Sequence, residues 1–354
     1  MKRALIHIGT GKTGTTSIQA GLGGARPERF GVGYPRPEPF AATPNQNFLA
    51  VVYRTFERLP RGYASMFEGD RAAFEDCRTR LRASWEQALA GNDKLVVSGE
   101  FLGNFSARAI EAFKADLDSH GFEDVTIVVY VREPASFYLS LAQQLVKASH
   151  ELRPLKDFVY RFRKTIRDWN RLFPKVRVFS YDQHKEEERG VIGSFEGLLD
   201  DAIGVSFRLE SEGRANTSMG LNGFQTLIRY RKKFYPDEPN RFRPDSDRLL
   251  RTILSVEEPD ERLRLSDAAR DYISYSHRED IEWLSSNYGV SLGPIWQGTE
   301  PVAPTVIADI IDGYGEISPD FNTALIRHLL HSEGKKSYFK ELARFIRRPS
   351  QSGR

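Results

Sequence analysis

Residues Ala4 to Gln19 read ALIHIGTGKTGTTSIQ, and this stretch decides the fold. A short apolar run leads into a loop with Gly9, Gly11 and Gly14 around Lys12, and a helix start rich in Thr and Ser follows. A strand that feeds a glycine-rich turn and a helix directs backbone N–H groups and the positive end of the helix dipole at one spot. The stretch therefore predicts a strand, an anion-binding loop and a helix.

The spacing of this loop indicates which anion it suits. Gly11-Lys12-Thr13 matches the end of the Walker A pattern GxxxxGK[ST], but Ile6 occupies the position of the first glycine. The loop before Lys12 is therefore too short to wrap a triphosphate in the usual way. An ordinary tight turn between a strand and a helix is the alternative for this segment.

A second segment, Val125 to Gln144, reads VTIVVYVREPASFYLSLAQQ. Its apolar run predicts a fully buried parallel strand, and Pro134 suits the first turn of a helix. Arg132 leaves the strand at its carboxyl end, and Ser140 lies on the following helix. A guanidinium and a hydroxyl near a helix start predict a second anion site. The alternative is an arginine at a strand end with serines that face solvent.

Between these motifs, Lys94 to Phe101 reads KLVVSGEF and predicts another strand, which ends in the carboxylate of Glu100. In an open α/β sheet, ligands bind beyond the carboxyl ends of the strands. We therefore expect Lys12, Glu100 and Arg132 to project into one crevice. As alternatives, Glu100 caps the following turn or pairs with a lysine.

The two motifs together resemble those of sulfotransferases that use 3′-phosphoadenosine 5′-phosphosulfate (PAPS). Lys12-Thr13-Gly14-Thr15-Thr16 resembles the loop that binds the 5′-phosphosulfate, and Arg132 followed eight residues later by Ser140 is similar to the element that binds the 3′-phosphate. The resemblance implies that Lys12 and Glu100 are catalytic, with Glu100 as the base where cytosolic members of the family have a histidine.

Weaker parts of the resemblance lie further along the chain. Val176 to Asp182 resembles the family strand whose tyrosine, here Tyr181, lies near the adenine; simple packing is the alternative. A late loop at residues 214–218 stands where the family closes over the 3′-phosphate, but it lacks the usual Arg-Lys-Gly. The residues implied to bind the donor are Gly11, Lys12, Thr13, Gly14, Thr15, Thr16, Ser17, Arg132, Ser140, Tyr181, Arg214 and Ser218. Ser17 replaces a tryptophan that stacks on adenine in cytosolic members.

The rhythm of strands and helices predicts a three-layer α/β/α fold with a central parallel sheet and a P-loop-like turn. The predicted strands are 4–8, 94–97, 125–131 and 175–181. At 354 residues, the chain is long enough for one large core. We expect an α/β domain over 1–300, with an insertion at 23–90 and helical additions from about 219, and a helical extension with a basic tail over 301–354. Among the predicted helices are Gln46 to Leu59 in the insertion and Leu221 to Phe234 in the additions.

Composition limits the remaining classes. The net charge of +3 does not call for nucleic acid, and the apolar runs are far shorter than the roughly 18 residues of a membrane span. Cys77 is the single cysteine, and the histidines form no ligand pattern, so we expect neither a disulfide nor a metal. Because the strand that carries the loop follows Met1-Lys2-Arg3 directly, a cleaved leader would remove the site. We therefore expect a cytoplasmic enzyme.

The C-terminal stretch, Lys335 to Arg354, is basic with interleaved aromatic residues. It predicts a helix that docks on the protein; peripheral contact with an anionic membrane and a path for an acidic polymer are the alternatives. The sequence does not indicate an oligomeric state.

The predicted activity is transfer of the sulfuryl group of PAPS to an acceptor hydroxyl, without a metal. The expected acceptor is a carbohydrate or glycolipid, because glutamate bases occur among the glycan enzymes of the family. A nucleotide-dependent small-molecule kinase is the alternative enzyme, since Gly11-Lys12-Thr13 matches part of Walker A. A non-catalytic nucleotide-binding adaptor is the alternative from another class.

Overall fold

The computed structural model describes residues 1–210, 219–238, 240–257 and 262–331. The chain divides into two compact units, each assembled from separate stretches. The first unit comprises Met1–Glu133, Tyr160–Gly213 and Glu279–Pro294, and the second comprises Pro134–Val159, Arg214–Arg278 and Ile295–Arg354. The predicted domain boundary at residue 300 stays a prediction, and the predicted basic helix over 335–354 lies outside the described residues.

The first unit is built on a four-stranded parallel sheet. Its strands are β1 Lys2–Ile8, β2 Lys94–Gly99, β3 Phe122–Val131 and β4 Lys175–Ser180. Their order across the sheet is β2-β1-β3-β4. In this register Ile6 lies between Val97 of β2 and Ile127 of β3. The predicted α/β class with a central parallel sheet is confirmed.

Helices flank this sheet in the first unit and make up much of the described part of the second. The α-helices of the described residues are α1 Thr15–Ala25, α2 Leu49–Tyr53, α3 Arg61–Ala64, α4 Arg71–Gly91, α5 Ala107–Ser119, α6 Pro134–Leu145, α7 Phe162–Asn170, α8 Tyr181–His184, α9 Gly190–Ile203, α10 Leu221–Phe234, α11 Pro244–Val256, α12 Asp267–Ser276, α13 Arg278–Tyr288, α14 Ile307–Ile310 and α15 Pro319–His331. In this described part, no helix is both long and apolar enough to cross a membrane.

Successive residues of a strand point to opposite faces of the sheet, and helices cover both faces. On one face, Leu5 of β1 and Val128 of β3 join a buried cluster with Ile18 of α1 and Phe195 of α9. On the other face, α5 packs against β3, and α7 packs against β3 and β4. Burial on both faces explains why the strands read as nearly continuous apolar runs.

The segment from Gln46 to Leu59 does not form the single helix that the sequence predicts. Instead, α2 ends at Tyr53, and a separate 3₁₀ turn follows at Phe56–Arg58. The backbone N–H of Gln46 donates to the carbonyl of Ser98 (3.0 Å), and the side-chain oxygen of Gln46 accepts from the N–H of Ser98 (2.7 Å). Gln46 thus lies beside the edge of β2, and α2 begins three residues later at Leu49.

In the second unit, the predicted helix over Leu221–Phe234 is confirmed as α10. Its Arg231 is fully buried and donates hydrogen bonds to the carbonyls of Ala148, Glu238 and Arg241 at 2.5 to 3.1 Å. These bonds offset part of the cost of burying the guanidinium charge. Arg231 thereby ties the stretch after α6 to the loop before α11.

His7 of β1 is a buried titratable residue, and the fold is most stable when its imidazole is neutral. Its ring is 0% exposed, and its Nδ1 lies 2.9 Å from Ser98 Oγ. The rings of Tyr130 and Phe195 lie 5.7 Å and 5.6 Å away. Burial without an opposing charge disfavours the imidazolium, so the pKa of His7 falls to about 3.

We expect His7 to weaken the fold as the pH falls. The unfolded chain binds a proton at His7 near pH 6.5 and the folded chain only near pH 3, so stability is full above about pH 6.5 and is lost progressively below it. The slope from this one group approaches about 1.4 kcal/mol per pH unit. His7→Asn keeps a polar group near Ser98 and removes the titration. Urea unfolding between pH 7.5 and pH 5 should show a shallower loss of stability for the variant, and equal slopes would exclude His7 as the source.

Candidate functional site

The turn between β1 and α1 has a constrained backbone. Gly11, Lys12 and Gly14 all adopt left-handed conformations, with φ of 45°, 60° and 75°. For a residue with a side chain, such as Lys12, this conformation costs roughly 1–2 kcal/mol. In tight turns with left-handed residues, successive peptide N–H groups can face a common point, as in loops that bind anions.

The first turn of α1 leaves polar groups without partners. The first intrahelical bond runs from the N–H of Ile18 to the carbonyl of Gly14 (3.1 Å), so the N–H groups of residues 15–17 precede it. The hydroxyls of Thr13 and Thr15 are buried, with residue exposures of 0% and 5%, and have no hydrogen-bond partner among the described residues. An unpaired buried hydroxyl costs about 1–3 kcal/mol, which a bound oxyanion would recover.

Arg132 joins the two predicted anion motifs, which are 120 residues apart in sequence. Its Nη1 donates to the carbonyl of Lys12 at 3.2 Å. Its guanidinium carbon lies 5.2 Å from the centre of the Tyr181 ring, and its Nε lies 3.6 Å from Asp182 Oδ1. The guanidinium is therefore held beside the glycine-rich turn before any ligand binds.

A chain of hydrogen bonds through Tyr160 ties the same two strand ends together. The N–H of Arg132 donates to the Tyr160 hydroxyl (3.3 Å), which lies 3.3 Å from the Thr10 hydroxyl. Thr10 in turn donates to the carbonyl of Tyr130 (2.5 Å). Burial raises the pKa of Tyr160, so its hydroxyl stays protonated.

Glu100 follows β2 directly and begins a 3₁₀ turn over Glu100–Asn104. The N–H of Gly9 donates to the carbonyl of Gly99 (3.1 Å), and a methyl group added to Gly9 would lie 2.8 Å from the Glu100 Cα. Glu100 is exposed, and among the described residues no hydrogen bond or ion pair engages its carboxylate. The alternatives in which it caps the turn or pairs with a lysine are therefore not seen in this part of the chain.

Tyr181 differs from its predicted setting. The sequence places it at the end of a strand, but β4 ends at Ser180, and Tyr181 opens the single turn of α8. The hydroxyl of Ser180 accepts from the N–H of Gln183 (3.4 Å), which starts this turn. The Tyr181 ring lies against Gly14, since an added methyl group there would come within 3.1 Å of it.

The other predicted residues are divided between the units. Thr16 is exposed and Ser17 is half-buried at the start of α1 in the first unit. Ser140 is half-buried on α6, which belongs to the second unit, and its pairing with Arg132 stays a prediction. Arg214 and Ser218 lie outside the described residues.

The structure adds three residues that sequence reasoning did not assign to the site. Thr10 and Tyr160 form the hydrogen-bond chain described above, and Asp182 accepts from the N–H of Glu133 (2.8 Å) beside Arg132. Asp182 lies two residues after β4, close to the carboxyl end of a strand, and this position could have marked it as a candidate. Tyr160 carried none, because its partners are distant in sequence.

The order of the strands places these residues at a recognised kind of ligand site. The chain leaves β1 toward β2 on one side and leaves β3 toward β4 on the other. In open α/β sheets, ligands bind at this switch of direction, outside the carboxyl ends of the strands. Lys12 and Arg132 follow the two strands that flank the switch, and the site can therefore hold an anion between them.

No protein-family model matches this chain, and it matches no curated protein and no solved structure. The class that the structure defines is an α/β protein with a parallel four-stranded sheet. Within the described residues, no group of three His, Cys, Asp or Glu side chains is arranged to hold a metal ion. Independence from metal stays a prediction.

We expect Gly14→Ala to damage the turn more than a matched control does. Both Gly14 (φ 75°) and Gly31 (φ 71°) are left-handed, but a methyl group would lie 2.7 Å from Val191 at Gly14 and would meet no atom within 4 Å at Gly31. Gly31→Ala should therefore lose about 1 kcal/mol from backbone strain alone, and Gly14→Ala about 1–3 kcal/mol more from overpacking. Urea unfolding measures both. Sulfate should raise the Tm of wild type and of Gly31→Ala but not of Gly14→Ala. Equal effects of the two variants would contradict the packing of the turn.

Tyr160→Phe should loosen the connection between the two strand ends. The change leaves the N–H of Arg132 and the Thr10 hydroxyl without the shared partner, at a cost of about 1–3 kcal/mol. We expect a lower free energy of unfolding together with a smaller sulfate-induced rise in Tm. As a control, Tyr34→Phe removes a buried hydroxyl that donates elsewhere, to the carbonyl of Pro44. It should lower stability without reducing the response to sulfate. Loss of the response in both variants would contradict a specific role for Tyr160.

Proposed function

We propose that this chain is a PAPS-dependent sulfotransferase that acts on the hydroxyl of a carbohydrate or glycolipid. The observation that carries the proposal is the hydrogen bond from Arg132 Nη1 to the carbonyl of Lys12, which brings together the two motifs that resemble the 3′-phosphate and 5′-phosphosulfate elements of that family. A nucleotide with phosphates at both the 3′ and the 5′ position requires two anion sites that lie close together.

The chemistry of the turn suits the 5′-phosphosulfate. The N–H groups at the start of α1 and the unpaired hydroxyls of Thr13 and Thr15 are donors that lack protein partners in the described residues. Donors of this kind stabilise negative charge as it develops on a leaving phosphate. Lys12, at the strained position of the turn, supplies the positive charge.

Arg132 suits the 3′-phosphate. Its Nη1 donates to the carbonyl of Lys12. Its buried Nε lies 3.6 Å from Asp182 Oδ1 without a hydrogen bond, and no described residue accepts a hydrogen bond from Nη2. A guanidinium that is already oriented loses little conformational entropy when it binds a phosphate. The Arg132 guanidinium lies over the Tyr181 ring. The proposed contact between Tyr181 and adenine therefore uses the part of the ring that the guanidinium does not cover.

In the proposed reaction, Glu100 accepts the proton of the acceptor hydroxyl as the acceptor oxygen forms its bond to sulfur. The bond between sulfur and the 5′-phosphate oxygen breaks, and that oxygen leaves with the electron pair. Lys12 and the N–H groups of the turn stabilise the charge on the leaving phosphate. Glu100 then releases its proton to solvent, with which its exposed side chain is in contact.

The kinase alternative would need a carboxylate for Mg²⁺ near the end of a strand. Glu100, whose exposed carboxylate follows β2, is one candidate. Asp182 in α8 is another, but its Oδ2 accepts from the N–H of Glu133 (2.8 Å) and its Oδ1 accepts from Lys185 (3.0 Å). A carboxylate whose two oxygens are engaged would have to give up these bonds to bind a cation. These bonds disfavour Asp182 as a metal ligand. The short loop before Lys12, in which Ile6 replaces the first Walker A glycine, favours the sulfotransferase over the kinase.

Labelled sulfate transfer from PAPS to a panel of sugar and glycolipid acceptors tests the proposal, together with calorimetric binding of adenosine 3′,5′-bisphosphate without Mg²⁺. Lys12→Ala and Glu100→Gln should each lower kcat by at least about 100-fold. Glu100→Gln should keep wild-type affinity for the bisphosphate. Arg132→Ala should weaken that affinity by about 10- to 100-fold, since it removes a charge-assisted contact.

The controls are Lys114→Ala and Glu111→Gln on the exposed side of α5, whose side chains pair with Asp118 and Arg171. Both should retain wild-type kcat. Mg²⁺-dependent ATP binding with phosphorylation of an acceptor would instead establish the kinase. Bisphosphate binding without turnover across the whole panel would favour the adaptor, and full activity of Glu100→Gln would remove that residue from the role of base.

A further inference from the structure

The backbone on both sides of Glu100 is held by side chains from one remote segment. Before it, the N–H of Ser98 donates to the side chain of Gln46 (2.7 Å). After it, the N–H of Phe101 donates to Asn47 Oδ1 (3.3 Å), and the carbonyl of Phe101 accepts from Arg54 Nη2 (2.6 Å). The segment Gln46–Arg54 thus engages the main chain of the residue that follows the proposed base.

Arg54 is itself fixed in place. Its guanidinium carbon lies 5.3 Å from the centre of the Phe105 ring, and its Nη1 donates to the carbonyl of Arg58 (3.4 Å). Arg54 is half-buried, and partial removal of its guanidinium from water lowers its pKa. Its bond to Phe101 is therefore stronger than a bond made in full solvent.

The other backbone contacts leave this peptide little freedom. The carbonyl of Gly103 accepts from the Thr165 hydroxyl (3.1 Å), and a methyl group added to Gly103 would lie 2.3 Å from the carbonyl oxygen of Gly9. The Glu100 side chain, by contrast, is exposed and has no partner among the described residues. A free carboxylate on a fixed backbone is the arrangement that a reacting base requires, because its position is set before the substrate arrives.

We infer that Asn47 and Arg54 are positioning residues for Glu100, which act by holding the N–H and the carbonyl of Phe101. The role of the Glu100 carboxylate as a base rests on the proposed function. The inference that Asn47 and Arg54 hold the adjoining backbone rests on the hydrogen bonds alone. The two parts can therefore be tested separately.

The first measurement is hydrogen exchange of the peptide that spans residues 98–105, followed by mass spectrometry. Arg54→Met removes the donors and keeps much of the side-chain length, and Arg54→Lys keeps a charged donor. We expect exchange at least about 10-fold faster in Asn47→Ala, which removes the acceptor of the Phe101 N–H, and in Arg54→Met, which releases the Phe101 carbonyl, with partial recovery in Arg54→Lys. Arg58→Met is the matched control, because this neighbouring arginine is exposed and only its main-chain carbonyl takes part. It should exchange like wild type.

The second measurement is steady-state sulfuryl transfer. Arg54→Met and Asn47→Ala should each lower kcat by about 10- to 100-fold, the effect of a misplaced reacting group, and leave KM for PAPS and affinity for the bisphosphate within about twofold. In a Glu100→Gln background, Arg54→Met should cause no further loss. A residue with a merely structural role would lower activity in both backgrounds and would raise KM as well.

Unchanged exchange in Arg54→Met would overturn the inference whatever the activity. Equal losses in the wild-type and Glu100→Gln backgrounds would also overturn it. If the wild type transfers no sulfuryl group, the proposed function fails, and the exchange data still decide whether Asn47 and Arg54 hold the Glu100 backbone.

Discussion

The candidate site depends on the position of β1 between β2 and β3. Because the three strands are parallel and in register, the loops that follow them emerge side by side at one edge of the sheet. Gly9 then lies against the backbone of Glu100 on one side, and Lys12 meets Arg132 on the other. If β1 stood at an edge of the sheet, the turn would have only one of these neighbours.

Local patterns in the sequence were sufficient to predict the strands and the glycine-rich turn. A buried parallel strand is apolar at nearly every position, as in β3, and the end of such a strand fixes where Arg132 must lie. Glycines at 11 and 14 indicated a tight turn after β1. The left-handed conformation of Lys12 could not be predicted, since lysine has no preference for that conformation.

The contacts that organise the site could not be predicted because their partners are far apart in the chain. Tyr160 is 150 residues from Thr10, and Arg54 is 47 residues from Phe101. Neither has a spacing or a neighbouring motif that marks it. The helix predicted from Gln46 is a similar case: the local pattern favoured one helix, but Gln46 bonds to Ser98 of β2, 52 residues away, and α2 begins only at Leu49.

Arg132 shows how such long-range contacts could serve binding. A flexible arginine loses side-chain entropy when it binds a phosphate, at a cost of about 0.5–1.5 kcal/mol. Here the carbonyl of Lys12, the Tyr181 ring and the Asp182 carboxylate already fix the guanidinium, so most of that entropy is lost on folding. Asp182 also offsets part of the positive charge, which lowers the attraction for any anion in proportion to the charge of that anion. The Arg132 guanidinium is therefore held in a fixed geometry, and its attraction for anions is weaker than that of an unpaired arginine.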